Sequence, residues 1–97
     1  MKTKDKILKV LEDLKETLKE KYKVKGIGIF GSVVREEQKE TSDIDVLVDF
    51  EEDADLFDLM GLALFLEEKL NQKVDVVSKR ALREDIKEGV LKEVAYP

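Results

Sequence analysis

Two aspartates separated by one residue, Asp43 and Asp45, are the side chains in this sequence best suited to hold a metal ion. They lie at the start of an apolar run, and strand alternation places both carboxylates on one face, with Cα atoms about 6.5–7 Å apart. Two carboxylates that close disfavour each other's ionisation unless a cation compensates them. Because the chain has no His and no Cys, its ligands are oxygens, which favours Mg²⁺ or Mn²⁺ over zinc. The alternative is a solvated strand start, with Ser42 and Asp43 as turn residues.

A third carboxylate, Asp75, is the single charged residue in an otherwise apolar strand-like segment, residues 74–77. A strand that faces a core rarely carries a lone charge without a partner. If this strand lies beside the one that carries Asp43 and Asp45, the three aspartates form one cluster. The alternative is that Asp75 points outward from a strand at the edge of the sheet.

A Gly-Ser pair, Gly31 and Ser32, follows another apolar run and precedes the Asp-x-Asp pair by about ten residues. A glycine directly after a strand permits a tight turn and the close approach of backbone to a ligand. If a short helix begins at Val33, the amides around Ser32 point at an anion, and Arg35 lies one turn further on, where it can meet a phosphate. The alternative is an ordinary turn.

Three strands must position these residues. The first is expected over residues 24–30, where Gly26 and Gly28 indicate close approach of another backbone or a ligand. Alternation predicts the second over residues 43–50 and the third over residues 73–78. In the second strand, one face is apolar and the other carries the two aspartates.

Apolar residues at helical spacing predict the helices that pack against these strands. The long helices are expected over residues 4–22 (N-cap Thr3), 55–70 (Asn71 just beyond its end) and 80–94 (interrupted near Gly89). Shorter connections are expected as a helix over residues 33–37, an exposed loop over 36–41 and an acidic turn over 51–53. This order of elements predicts a small α/β (α+β) fold, a mixed sheet flanked by helices. Near the start of the second long helix, core packing is expected for most of Leu56, Phe57 and Met60, in preference to a partner-binding face.

Length and composition exclude several classes of protein. At 97 residues, one domain over residues 1–97 is expected. The formal net charge of −5 argues against direct nucleic-acid binding, which usually needs a basic face. No apolar run approaches the roughly 20 residues that span a bilayer, and no signal-peptide segment is present, so a cytoplasmic location and no membrane partner are expected. Without His or Cys, acid–base or metal chemistry must use carboxylates.

The combined pattern resembles a family, the polymerase-beta-like nucleotidyltransferase superfamily, and in particular its minimal members. The family signature is Gly-Ser, about ten residues, Asp-x-Asp, and a third carboxylate on a later strand. The matching positions are Gly31, Ser32, Asp43, Asp45 and Asp75, with Arg35 where the family tends to carry an arginine. The resemblance covers about residues 24–78. One departure is Glu36, which stands where members often have Gly, and it bears on substrate fit rather than on metal binding.

This resemblance implies the polymerase-beta-like nucleotidyltransferase fold and the transfer of a nucleoside monophosphate to an acceptor hydroxyl with two Mg²⁺ ions. The implied catalytic and metal-binding residues are Asp43, Asp45 and Asp75, and the implied nucleotide-binding residues are Gly31, Ser32 and Arg35. Asp75 would lie near the attacking oxygen, where it can accept the proton.

The acceptor implied by the resemblance is a protein. Minimal members that resemble this chain are encoded beside a HEPN-domain ribonuclease toxin and act as antitoxins by adenylylating a toxin tyrosine. ATP is then the substrate and a cognate HEPN toxin the partner. Two alternatives stay open: a non-catalytic antitoxin that neutralises its partner by docking, and a self-contained transferase for a small metabolite or antibiotic. The second would need an acceptor pocket that is not evident in so short a chain.

Overall fold

A mixed three-stranded sheet is the frame of the molecule in the computed structural model, which describes residues 3–35, 37 and 43–97. Its strands are β1 (Val24–Phe30), β2 (Ile44–Phe50) and β3 (Val74–Ser78), in the order β1-β2-β3. β1 runs antiparallel to β2, and β2 runs parallel to β3. The three predicted strands and the mixed sheet are confirmed. The loop expected over residues 36–41 lies outside the described residues, apart from Glu37.

Two short helices, α1 (Lys4–Asp13) and α2 (Lys15–Tyr22), stand where one helix over residues 4–22 was predicted. They meet at Leu14, whose ψ of 0° departs from the helical value of about −42°. The apolar spacing continues across Leu14, so the sequence pattern does not register the bend. Thr3 caps α1 as predicted, because its hydroxyl accepts a hydrogen bond from the amide of Lys6 at 3.4 Å.

The second long helix, α3 (Leu56–Leu70), is the crossover that parallel strands such as β2 and β3 require. Asp55 and Asp58 form a reciprocal capping box at its start. Asn71 adopts a left-handed conformation (φ 52°) at its end, as expected for a residue that stops a helix.

The last helix, α4 (Glu84–Glu93), is shorter than predicted but continuous. A 3₁₀ turn over Lys79–Ala81 and an extended Leu82 precede it, so the helix does not begin near Arg80. The predicted interruption at Gly89 is wrong. A glycine within a helix costs only about 1 kcal/mol, which is too little to end α4 here. Among the described residues, no helix is long and apolar enough to span a membrane.

The core lies between one face of the sheet and helices α1, α2 and α3. β2 contributes alternate side chains to it, beginning with Ile44 and Val46, both fully buried. The helices contribute Ile7, Leu11, Leu18, Leu62, Leu66 and Leu70. The odd-numbered positions of β2, which include Asp45, therefore lie on the opposite face, as predicted from strand alternation.

Core packing is the wrong expectation for the first turns of α3. Leu56 is 68% exposed, Phe57 83% and Met60 53%, and Leu64, two turns beyond Leu56, is 67% exposed. These four residues lie on the side of α3 that faces away from the buried Leu62. They form an exposed apolar stripe, called here the α3 stripe.

The chain beyond α4 returns to the sheet beside β1, a feature that the sequence did not predict. Ala95 forms two backbone hydrogen bonds with Ile29, of 2.9 and 2.8 Å. A Cβ built at Gly28 would lie only 3.0 Å from the carbonyl oxygen of Ala95. The glycine at this position therefore permits the close backbone approach that glycines in the strand had indicated.

Candidate functional site

The register of the sheet places two of the predicted carboxylates side by side. Asp45 on β2 is paired with Asp75 on β3, and the two strands lie about 4.8 Å apart. Asp43, one residue before β2, projects to the same face by strand alternation. β3 therefore lies beside β2, which is the strand arrangement that a cluster of the three aspartates requires. β3 is also an edge strand, and Asp75 is exposed. The structure is therefore also consistent with the alternative that Asp75 points outward from the edge of the sheet.

Asp45 is the half-buried member of this group, whereas Asp43 and Asp75 are exposed. Burial of the Asp45 carboxyl raises its pKa first, and the charges of Asp75 and Asp43 raise it further. Arg35 acts in the opposite direction. Because the charges of Asp43 and Asp75 oppose the ionisation of Asp45, the group has the electrostatic character of a cation site.

The donor chemistry of this group fits a hard divalent cation. All of its ligand atoms are carboxylate oxygens, which Mg²⁺ and Mn²⁺ prefer. Within residues 3–35, 37 and 43–97, no three carboxylates are arranged closely enough to form a ready-made metal site. The ligand roles of Asp43, Asp45 and Asp75 remain predictions.

Gly31 closes the site from the end of β1. Its φ of +77° lies in the left-handed region, which glycine adopts far more readily than other residues. A Cβ built at this position would collide with the Asp45 carboxylate oxygen Oδ2. Glycine therefore serves both the turn after β1 and the close approach of backbone to Asp45.

The turn after β1 is shorter than predicted. A single 3₁₀ turn covers Gly31–Val33, and no α-helix begins at Val33. The amides of Val34 and Arg35 both donate to the carbonyl oxygen of Gly31, at 3.1 Å. One turn has no appreciable helix dipole, so any anion binding here depends on individual donors rather than on a helix N-terminus. Ser32 lies half-buried within this turn.

Arg35 extends from the same turn toward two carboxylates. Its Nη1 atom lies 2.7 Å from Glu93 Oε1, and its Nε atom lies 3.3 Å from Glu37 Oε2. The hydrogen bond to Glu37 and then the charge of Glu93 raise the pKa of Arg35. A guanidinium that is half exposed and always charged is well suited to contact a phosphate.

Glu93, the last residue of α4, is the site residue that sequence reasoning missed. Its Oε1 atom accepts hydrogen bonds from the amide of Gly31 at 3.1 Å and from Arg35 at 2.7 Å. Its charge also contributes to the raised pKa of Asp45. The one signal in the sequence was Gly28, because the backbone that approaches this glycine is Ala95, two residues after Glu93.

The fold and the site together define a nucleotidyltransferase. Residues 11–96 match the family model of the nucleotidyltransferase domain, and the chain belongs to that family. The protein adenylyltransferase MntA of Thermococcus cleftensis is 45% identical over 96 residues, which is 99% of this chain and 97% of that protein.

Solved structures agree with this assignment. A minimal nucleotidyltransferase is 38% identical with a TM-score of 0.77, covering 93% of this chain and 95% of that one. An MNT antitoxin in complex with a tri-AMPylated HEPN toxin of Shewanella oneidensis is 26% identical with a TM-score of 0.60, covering 95% and 66%. The family and the fold expected from the signature are therefore confirmed.

Proposed function

We propose that this chain is an antitoxin that transfers AMP from ATP to a hydroxyl, a tyrosine in members that it resembles, of a cognate HEPN-family ribonuclease toxin. The observation that carries the proposal is the juxtaposition of Asp45 with Gly31 and Asp75. It places candidate metal ligands next to candidate phosphate donors. The adenylyltransferase name of a 45%-identical relative and the AMPylated toxin in a structural neighbour support the choice of reaction.

In this scheme the chain's residues position the phosphates and the acceptor. The Gly31 amide, the Ser32 hydroxyl and the Arg35 guanidinium hold the β- and γ-phosphates of ATP. The acceptor oxygen forms a bond to the α-phosphorus as the bond to pyrophosphate breaks, and the hydroxyl proton passes to Asp75. Catalysis by positioning and electrostatics needs few residues, so residues 1–97 suffice as one domain.

Asp43, Asp45 and Asp75 are the residues that would hold two Mg²⁺ ions. Mg²⁺ supplies neutralisation of the charge on the triphosphate and on the leaving pyrophosphate. The raised pKa of Asp45 supports this role, because a cation favours the ionised form that the neighbouring aspartates disfavour. ATP and Mg²⁺ are both abundant in the cytoplasm, where we place the reaction.

The α3 stripe (Leu56, Phe57, Met60 and Leu64) is the surface on which we expect the toxin to dock. Contiguous exposed apolar side chains on a small domain commonly mark an interaction surface. The flanks of the stripe are acidic and indicate a partner with basic residues around an apolar patch. A ribonuclease, which binds an anionic polymer, fits that description.

The charges around the stripe also disfavour a second copy of this chain as the occupant. Asp53 and Asp55 precede α3, while Glu67 and Glu68 lie in its last turns. Two copies packed through their stripes would place acidic residues against acidic residues in either helix orientation. Lys23 partly offsets the N-terminal end through ion pairs of 3.5 Å with Asp53 and 3.7 Å with Asp58.

A non-catalytic antitoxin that neutralises its partner by docking is the second candidate function. The α3 stripe favours it as much as it favours the enzyme, because both need a toxin-binding surface. Only the enzyme needs the Asp43 and Asp45 carboxylates.

The test is a titration of toxin ribonuclease activity with this chain. With ATP and Mg²⁺, we expect neutralisation at far less than one chain per toxin, because each chain turns over. The Asp43→Ala/Asp45→Ala variant should lose this effect. The docking antitoxin predicts a different result: neutralisation would need one chain per toxin, with or without ATP, for the wild type and for the variant alike. That result would contradict the enzyme.

A further inference from the structure

The contact of Glu93 with the loop after β1 concerns the same donors that the proposed function assigns to ATP. One carboxylate oxygen, Glu93 Oε1, accepts from both the Gly31 amide and Arg35 Nη1. The Glu93 side chain is only 28% exposed, so its carboxylate sits against the loop rather than in solvent. An anion therefore already occupies two donors of the candidate phosphate site.

We propose that Glu93 is an internal competitor for the phosphate donors, and that its carboxylate must leave Gly31 and Arg35 before ATP phosphates bind there. This inference rests on the proposed function, since it concerns the same site. A carboxylate oxygen and a phosphate oxygen both bind such donors through charge-assisted hydrogen bonds. One amide hydrogen cannot serve both acceptors fully, so the two anions exclude each other.

The location of Glu93 makes its departure feasible. It is the C-terminal residue of α4, where the helix dipole disfavours a negative charge. No residue of α4 is fully buried, and the chain beyond Glu93 is held separately by the hydrogen bonds between Ala95 and Ile29. A change of side-chain rotamer therefore suffices, and the sheet does not need to rearrange.

The charge of Glu93 opposes nucleotide binding in a second way. It adds to the negative charge of Asp43, Asp45 and Asp75, as its contribution to the raised pKa of Asp45 indicates. A triphosphate that enters this region meets fewer repulsive charges once the Glu93 carboxylate has turned away. Both effects predict that Glu93 lowers the affinity for ATP.

The decisive variant is Glu93→Gln, which keeps the size of the side chain and an oxygen that accepts from Gly31 but removes the charge. We expect ATP to bind about 3- to 10-fold more tightly to this variant, the size expected when a partly exposed ion pair no longer competes. Isothermal titration calorimetry on the full chain with ATP and Mg²⁺ measures the change, and no toxin is needed. Glu88→Gln is the matched control, because Glu88 lies on the same helix and pairs with Lys92. It should bind ATP as the wild type does.

Two further ligands locate the effect. Inorganic tripolyphosphate should gain as much affinity as ATP from Glu93→Gln, whereas adenosine should gain none, since competition is confined to the phosphate donors. Unchanged or weaker ATP binding by Glu93→Gln would overturn the inference, as would a wild-type chain that binds neither ATP nor tripolyphosphate. Failure here with intact AMP transfer to the toxin would leave the proposed function standing. Tighter ATP binding by Glu93→Gln without AMP transfer to the toxin would support the competition by Glu93 and contradict the proposed function.

Discussion

Gly31→Ala is the substitution that most directly probes how backbone and carboxylate meet at this site. The φ of +77° at Gly31 costs an L-amino acid about 1–2 kcal/mol. The new Cβ would also collide with the Asp45 carboxylate oxygen and lie 3.1 Å from its Cγ, and overpacking of this kind adds roughly 1–3 kcal/mol. We therefore expect the free energy of unfolding to fall by about 2–5 kcal/mol.

Equilibrium unfolding in guanidinium chloride measures this loss, and Gly26→Ala is its matched control. A Cβ at Gly26 would lie 3.8 Å from the Cβ of Asp49, an ordinary contact, so its effect should stay within about 0.5 kcal/mol. In an Asp45→Ala background the collision disappears, and Gly31→Ala should then cost only the backbone share of about 1–2 kcal/mol. A Gly31→Ala variant as stable as the wild type would refute the packing described here.

Three other outcomes are expected. Asp45→Asn should raise the free energy of unfolding at pH 7, because the raised pKa of Asp45 means that ionisation of this carboxyl opposes folding. This gain in stability should shrink as the pH falls through the raised pKa toward the ordinary value of 3.8. A gain in stability that grows in acid would contradict this reasoning. Phe57→Glu should weaken the complex with the toxin at least tenfold by surface plasmon resonance while ATP binding stays unchanged, and the control Ile86→Glu, at another exposed apolar position, should not. Gly28→Ala should destabilise the fold by about 1–3 kcal/mol because its Cβ would meet the Ala95 carbonyl oxygen. A Tm of this variant, measured by calorimetry, that equals that of the wild type would argue against the contact.

Much of the site could be predicted because strand alternation fixes side-chain direction locally. Asp43 and Asp45 share a face whatever the rest of the chain does. The lone Asp75 among valines suggested that its strand lies beside the one that carries Asp45, and the two residues are register partners. Asp75 itself is exposed on an edge strand, so its role as a ligand stays a prediction. The exposed α3 stripe could not be predicted in the same way, since apolar residues in an amphipathic pattern do not reveal which side lacks a covering element.

The parts that sequence reasoning missed depend on contacts between distant residues. Glu93 meets Gly31 across 62 positions of sequence, and nothing local to Glu93 marks it. Gly89 costs α4 only about 1 kcal/mol, which packing can offset, and the apolar spacing that predicted one helix over residues 4–22 continues across the bend at Leu14. The contact of the Asp45 carboxylate with the single turn at Gly31–Val33 likewise joins residues that are distant in sequence.

In the proposed function, Asp43 and Asp45 support the transfer of AMP to a toxin hydroxyl. The most direct test is intact-mass spectrometry of the cognate HEPN toxin after incubation with this chain, ATP and Mg²⁺. We expect the toxin to gain the mass of one or more AMP units, and the Asp43→Ala/Asp45→Ala variant should abolish this gain. A toxin of unchanged mass that still forms a stable complex with this chain would contradict the proposed function.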